Sequence, residues 1–149
     1  MLLNHNYLIM KIEITTNPSK SDAKTISQGI VDYNKITANV SDCDDEMKFS
    51  VFARNDENEI IGGLRAICYW NTLHIELLWL DENYRGTGMG TTLLERAEVF
   101  ARKSRYENAL VETTSWQAKP FYEKHGYQLQ NTINDRPKGH KSYYLSKIL

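Results

Sequence analysis

The sequence predicts an α+β fold: a central mixed, mostly antiparallel sheet of about seven strands flanked by helices. Three observations carry the prediction. Short runs rich in β-formers recur between polar turns, the segment Gly90 to Ser104 repeats its apolar residues at helical spacing, and a glycine-rich turn lies where a strand gives way to that helix.

Residues Tyr7 to Thr16 alternate weakly and predict a first strand ending at Asn17-Pro18. Ser19 or Ser21 is placed to cap a helix running to about Lys35, with Ile26, Ile30 and Tyr33 on one face. An acidic loop follows. Lys48 to Arg54 and Ile60 to Trp70 read as strands joined by the polar turn Asn55 to Glu59, and Asn71-Thr72 allows a tight hairpin into a strand from His74 to Leu80. These three strands make an antiparallel meander. In the next helix, Gly90 to Ser104, Leu93, Ala97, Phe100 and Ala101 share a face. Asn108 to Glu112 is a further strand, a short helix begins near Ala118, and Tyr127 to Ile133 with Lys141 to Ile148 form the last strand pair. With no internal repeat and no linker, residues 1–149 are expected to form one domain.

Composition narrows the function classes. Eighteen Lys and Arg against nineteen Asp and Glu leave a net charge of -1, and the absence of any long basic block argues against a nucleic-acid partner. No segment approaches the apolar length of a membrane span, and Met1 to Met10 lacks the basic start and continuous apolar core of a secretory signal. A cytoplasmic home without membrane contact is expected. Cys43 and Cys68 have neither the number nor the spacing of a disulfide framework or a zinc site, so both read as unpaired thiols and no metal is expected. The acidic clusters Asp42 to Glu46 and Asp56 to Glu59 read as solvated loops that could also attract a cationic substrate.

The glycine-rich turn is the most informative segment. Arg85-Gly86-Thr87-Gly88-Met89-Gly90 has the composition of a phosphate cradle: glycine lets consecutive backbone N–H groups converge, and the following helix start adds its own N–H groups and positive dipole end. Arg85 can add a charge-assisted contact to the same phosphates. Commoner glycine motifs fail on spacing. A dinucleotide fingerprint would need glycine where Thr91 stands, and no Gly-Lys-Ser/Thr follows to make a nucleotide P-loop.

Arg-x-x-Gly-x-Gly after a hydrophobic strand resembles motif A of the GNAT N-acetyltransferase superfamily, which holds the pyrophosphate of acetyl-coenzyme A. Downstream, Ala118-Lys119-Pro120-Phe121-Tyr122-Glu123-Lys124-His125-Gly126-Tyr127 resembles the family's motif B, a short tyrosine-bearing helix followed by a Gly-aromatic pair and a strand. The resemblance implies a GNAT-like sheet with a splayed strand pair, acetyl-CoA as co-substrate, and acetyl transfer to a small-molecule or peptide amine. By that match, backbone groups near Leu78 and Leu80 pair with pantetheine, Arg85, Gly86, Thr87, Gly88, Met89 and Gly90 hold phosphates, and Tyr122 adjoins the thioester. Two departures stand out. The second of the family's two early helices is poorly marked, and Ser115 stands where many members place an asparagine that bonds pantetheine, a contact its hydroxyl is expected to make with fewer donors.

Acyl transfer to an amine needs a neutral nucleophile, a stabilised oxyanion and a proton for the departing thiolate. Strict alternation puts His74, Glu76, Leu78 and Leu80 on one strand face and Ile75, Leu77 and Trp79 on the other. Glu76 is the first candidate for the base and His74 the reserve; a cross-strand salt bridge is the competing explanation for Glu76. Tyr122 is the candidate acid, and its competing reading is packing within a short helix. Pro120 fits only the first turn of that helix. Tyr33 and Asn34 at the end of the first helix, and His140 in the last hairpin loop, are candidate acceptor contacts. The exposed final strands are where a homodimer would form. A domain that binds coenzyme A but has lost its chemistry is the alternative function.

Overall fold

The computed structural model describes residues 11–38 and 46–149. Contacts divide the chain into two compact units, Met1–Ser41 and Asp42–Leu149. Within the first, α1 spans Lys20–Ala38. Its start is capped by Ser19, whose Oγ accepts the Asp22 N–H at 3.0 Å, so the first of the two serines considered is the one used. Of the strand expected over Tyr7 to Thr16, residues 7–10 lie outside the described residues and residues 11–16 form no strand.

The second unit holds a six-stranded sheet in the order β1-β2-β3-β4-β6-β5, so six strands rather than seven are present among the described residues. Its strands are β1 (Met47–Arg54), β2 (Ile60–Tyr69), β3 (Thr72–Leu80), β4 (Asn108–Thr114), β5 (Gln128–Asn134) and β6 (Lys141–Ile148). Only β3 and β4 run parallel; every other pairing is antiparallel. The crossover between them carries α2 (Met89–Lys103), and α3 (Lys119–Lys124) lies between β4 and β5.

Local chemistry sets the boundaries. Trp70 and Asn71 both take positive φ, 46° and 56°, and Tyr69 pairs with Thr72. The β2–β3 turn is therefore Trp70-Asn71, one residue earlier than expected, with the φ signs of the turn that suits hairpin twist. This starts β3 at Thr72 rather than His74. Pro120 occupies the first turn of α3, where its missing N–H costs no helical bond.

The core lies between the sheet and α2. Leu64, Leu73, Leu94 and Leu145 are among its largest fully buried side chains. Leu93, Leu94, Ala97 and Ala101 form the buried stripe of α2, whereas Phe100 stays 44% exposed, tilted against Phe49 with ring centroids 4.6 Å apart. Glu98 is a charged residue in that stripe, only 5% exposed. Tyr127 donates its hydroxyl to Glu98 at 3.0 Å and Lys147 donates its ammonium at 2.8 Å, so one carboxylate ties α2 to β6 and to the start of β5. Burial is the first cause that drives the Tyr127 phenol well above the ordinary tyrosine range, and the Glu98 charge adds to it.

Replacing Glu98 by Ala leaves a half-buried ammonium and a buried hydroxyl without their acceptor. The expected loss is about 2–3 kcal/mol of unfolding free energy, read by urea denaturation. A change under about 0.5 kcal/mol, the scale of an ordinary surface substitution, would show that the triad contributes nothing.

Candidate active site

β3 and β4 pair only from Thr72↔Asn108 to Ile75↔Val111. Beyond that point β3 continues against β2, β4 continues against β6, and the two strands part. The exposed edge of β3 faces the opening. Asp81 N–H bonds the Ile61 carbonyl on β2 at 2.8 Å, and because backbone groups alternate along a strand, those of Leu80 and Leu78 turn to the opposite edge, toward the gap. A cleft of about 730 Å³ occupies this divergence, walled by residues 75–80 of β3 and 111–113 of β4.

A β-bulge shapes the first wall. Arg65 of β2 pairs with Leu77 and Ala66 with Ile75, so Glu76 is the extra residue. Strict alternation therefore fails. Ile75 and Leu78 both pack into the core, with the exposed pair Glu76 and Leu77 between them, so Leu78 does not share a face with His74. Glu76 lines the cleft and also accepts from Arg65 Nε at 2.8 Å, the cross-strand salt bridge that is its competing explanation.

At the far end of β3 comes the glycine turn. Gly86 and Gly88 hold φ of 74° and 85°, values that disfavour side chains, and a Cβ at either would meet nothing within 4 Å. Gly88 is the N-cap of α2, which has no side-chain cap and no acidic residue in its first turn. The first N–H groups and the positive end of the helix dipole are thus left for an anion. Arg85, Gly86, Gly88 and Gly90 line the cleft, and Arg85 Nε also donates to the Leu80 carbonyl at 3.1 Å. Thr87 and Met89 are not in the lining. The Thr87 hydroxyl donates to the Tyr84 carbonyl at 2.6 Å, and Met89 packs against Ala53, Ile61 and Leu93.

α3 closes the second side. Tyr122 is 5% exposed yet lines the cleft, and burial pushes its phenol up to about 12. The Phe121 ring would lie 3.6 Å from a Cβ at Gly90, and His125 Nε2 lies 2.9 Å from Thr91 Oγ1, so α3 sits against the first turn of α2. This contact places Tyr122 and the cradle along one opening.

Three other sequence candidates of the second unit, His74, Ser115 and His140, are not in the lining. His74 is outside the lining; its ring stacks on Tyr69 at 4.1 Å, its buried Nε2 has no partner among the described residues, and burial lowers its pKa. Ser115 and His140 contact each other, Oγ to Nδ1 at 3.3 Å, and the His140 ring meets Trp116 edge-on. Neither lines the cleft. All lining residues belong to the second unit, whereas Tyr33 and Asn34 are carried by α1 of the first.

The Acetyltransferase (GNAT) domain model matches residues 48–129. The chain belongs to the GNAT acetyltransferase family. It is 39% identical over 102 residues to blasticidin-S acetyltransferase of Streptomyces morookaense, covering 68% of this chain and 75% of that protein. A crystal structure of an acetyltransferase from Bacillus cereus superposes with a TM-score of 0.82 at 31% identity, covering 92% of this chain and 98% of that one. An acetyltransferase of Bacillus anthracis assigned to streptothricin, solved in complex with acetyl coenzyme A, shares the fold with a TM-score of 0.62 at 24% identity over 68% of this chain and 62% of that one. This GNAT acetyltransferase is an enzyme of the acyl-CoA-dependent N-acetyltransferase class, as the sequence resemblance implied.

Sequence reasoning missed several lining residues of the acetyltransferase. Gln117 stands in the cleft, its Oε1 accepting the Thr114 N–H at 3.3 Å, which turns the amide NH₂ away from that bond. It lies two residues beyond Ser115, the position singled out by the family resemblance. Glu112 and Lys124 also line the cleft, and only the strand divergence and the placement of α3 bring them there.

Cys68 is fully buried in β2, and burial pushes its thiol up to about 11. A group raised this way keeps its proton at neutral and mildly alkaline pH. Iodoacetamide at pH 8 should alkylate Cys68 in the native enzyme at least about tenfold more slowly than in the urea-unfolded enzyme, resolved from Cys43 by peptide mapping. Equal rates would place the thiol at the surface.

Proposed function

We propose that the enzyme moves the acetyl group of acetyl-CoA to a primary amine by direct transfer in a ternary complex, with a small-molecule amine as acceptor. The observation that carries the reading is the β3–β4 divergence, which runs from an anion cradle to a buried tyrosine. Acetyl-CoA fits this opening chemically: diphosphate at Gly86 to Gly90 with Arg85, and the pantetheine amides along the Leu78 and Leu80 backbone. The Gln117 amide adds a donor that Ser115 was expected to supply. The small-molecule acceptor is supported by the likeness to blasticidin-S acetyltransferase.

Each chemical role falls to a group in the opening. A backbone N–H near Leu80 facing the thioester oxygen would contribute about 3 kcal/mol to the oxyanion-like transition state. Glu76 accepts the amine proton, directly or through water, from the rim of the bulge. His74, stacked and outside the lining, is the weaker candidate for that task. Tyr122 remains a phenol throughout the working range and donates to the sulfur as the C–S bond breaks. Cys68 lies in the core rather than on the cleft, which supports direct transfer over a covalent acetyl-enzyme.

Two variants separate binding from chemistry. Gly88→Val, which forces a branched side chain onto φ of 85°, should weaken acetyl-CoA binding by at least about tenfold in a thermal-shift titration. Unaltered affinity would remove the cradle from the reading. Tyr122→Phe should lower kcat by about 100-fold while acetyl-CoA affinity stays within about threefold. In a thiol-release assay over a panel of amines, wild-type turnover with an unchanged Tyr122→Phe rate would remove the acid role.

A further inference from the structure

We propose that Glu112 is a further residue of the acceptor site, seating the incoming amine as its ammonium form opposite Glu76, with Arg136 as the residue that positions it. The inference rests on the transfer reading above and adds to it an acceptor recognised as a cation.

Register brings the two carboxylates together. Ile75↔Val111 is the last pair before β3 and β4 part, so Glu76 and Glu112 are the first residues on either wall. Both line the cleft and both are on the side of the sheet away from buried Ile75 and Val111. Neighbouring strands lie about 4.8 Å apart where they still pair, and the spacing grows beyond, which leaves a gap between the two walls on the scale of one ammonium group.

Each carboxylate is held by one arginine. Arg65 takes Glu76 Oε2 at 2.8 Å, and Arg136 takes Glu112 Oε1 at 2.7 Å. In each, the second oxygen makes no ion pair among the described residues. Arg136 also donates to the hydroxyl of Tyr144, and Tyr144 is the β6 partner of Glu112 across the sheet. The guanidinium therefore braces Glu112 from two directions and brings the β5–β6 loop to the rim of the cleft.

Charge is also sorted along the opening. Its basic side chains, Arg85 and Lys124, belong to the glycine turn and to the end of α3, which the His125–Thr91 contact sets beside the start of α2. Its carboxylates are at the other end, where the strands part. Because Arg65 and Arg136 balance the two carboxylates, an ammonium is recognised there through the carboxylate oxygens outside those ion pairs and not through a net negative field.

The test compares steady-state constants for acetyl-CoA and for the best amine of a simple panel containing hexylamine, 1,6-diaminohexane and spermidine. Glu112→Gln should raise the acceptor KM at least about tenfold with the acetyl-CoA KM within about twofold. Arg136→Met should shift the acceptor KM in the same direction, and Arg136→Lys, which keeps the charge without the planar fork, should recover part of it. Glu57→Gln, in the β1–β2 turn, should change neither constant. An acceptor KM unmoved in Glu112→Gln would overturn the inference, as would a rise in both KM values together with a lowered melting temperature, the signature of a loop tether alone. If the wild type binds acetyl-CoA but acetylates no amine, the transfer reading itself fails and this inference falls with it.

Discussion

Everything in the site follows from one constraint on backbone pairing: β3 and β4 share hydrogen bonds for only part of their length. A central strand normally satisfies both edges within the sheet, and an edge left open inside a protein needs another partner. Here one edge of β3 is committed to β2 as far as Leu80, while the other loses β4 after Ile75. The parting of the strands creates the cleft, frees the backbone groups that line it, and sends the end of β3 into the glycine turn at the start of α2.

Opening a sheet at its centre weakens the strongest cross-links between its halves, and the helices restore them. α2 packs its apolar stripe across β1, β2 and β3, and Glu98 on the same helix reaches Lys147 on β6 and Tyr127 beside β5. The helix thus holds both sides of the divergence. α3 does the same at shorter range, because Phe121 and His125 rest on the first turn of α2. Motion of α3 would displace Tyr122 and the anion end together, which gives this small helix an influence out of proportion to its length.

The sequence made much of this legible, for reasons that can be traced residue by residue. The glycine turn could be read because positive φ and an open helix start each demand a particular residue type, and the tyrosine helix because Pro120 and Gly126 punctuate it. Strand existence was also readable from local composition. Facing was not: the Glu76 bulge depends on how β2 pairs with β3, and no alternation rule within β3 contains that information. The placement of Glu112 and Gln117 in the cleft lining was hidden for a related reason, since strand divergence and a loop reversal bring them there. The family resemblance pointed to Ser115, whose hydroxyl contacts His140 outside the cleft lining.

The bulge at Glu76 has one more consequence. It makes β3 two half-strands spliced out of phase, the first half keyed to the core through Leu73 and Ile75, the second through Leu78. A pairing that ironed out the bulge with Glu76 kept in the ladder would return the strand to uniform alternation, turning Leu78 outward and Trp79 inward while leaving the first half as it was. The phase of one strand thus decides which side chains line the cleft, and the splice at Glu76 is where that choice is made.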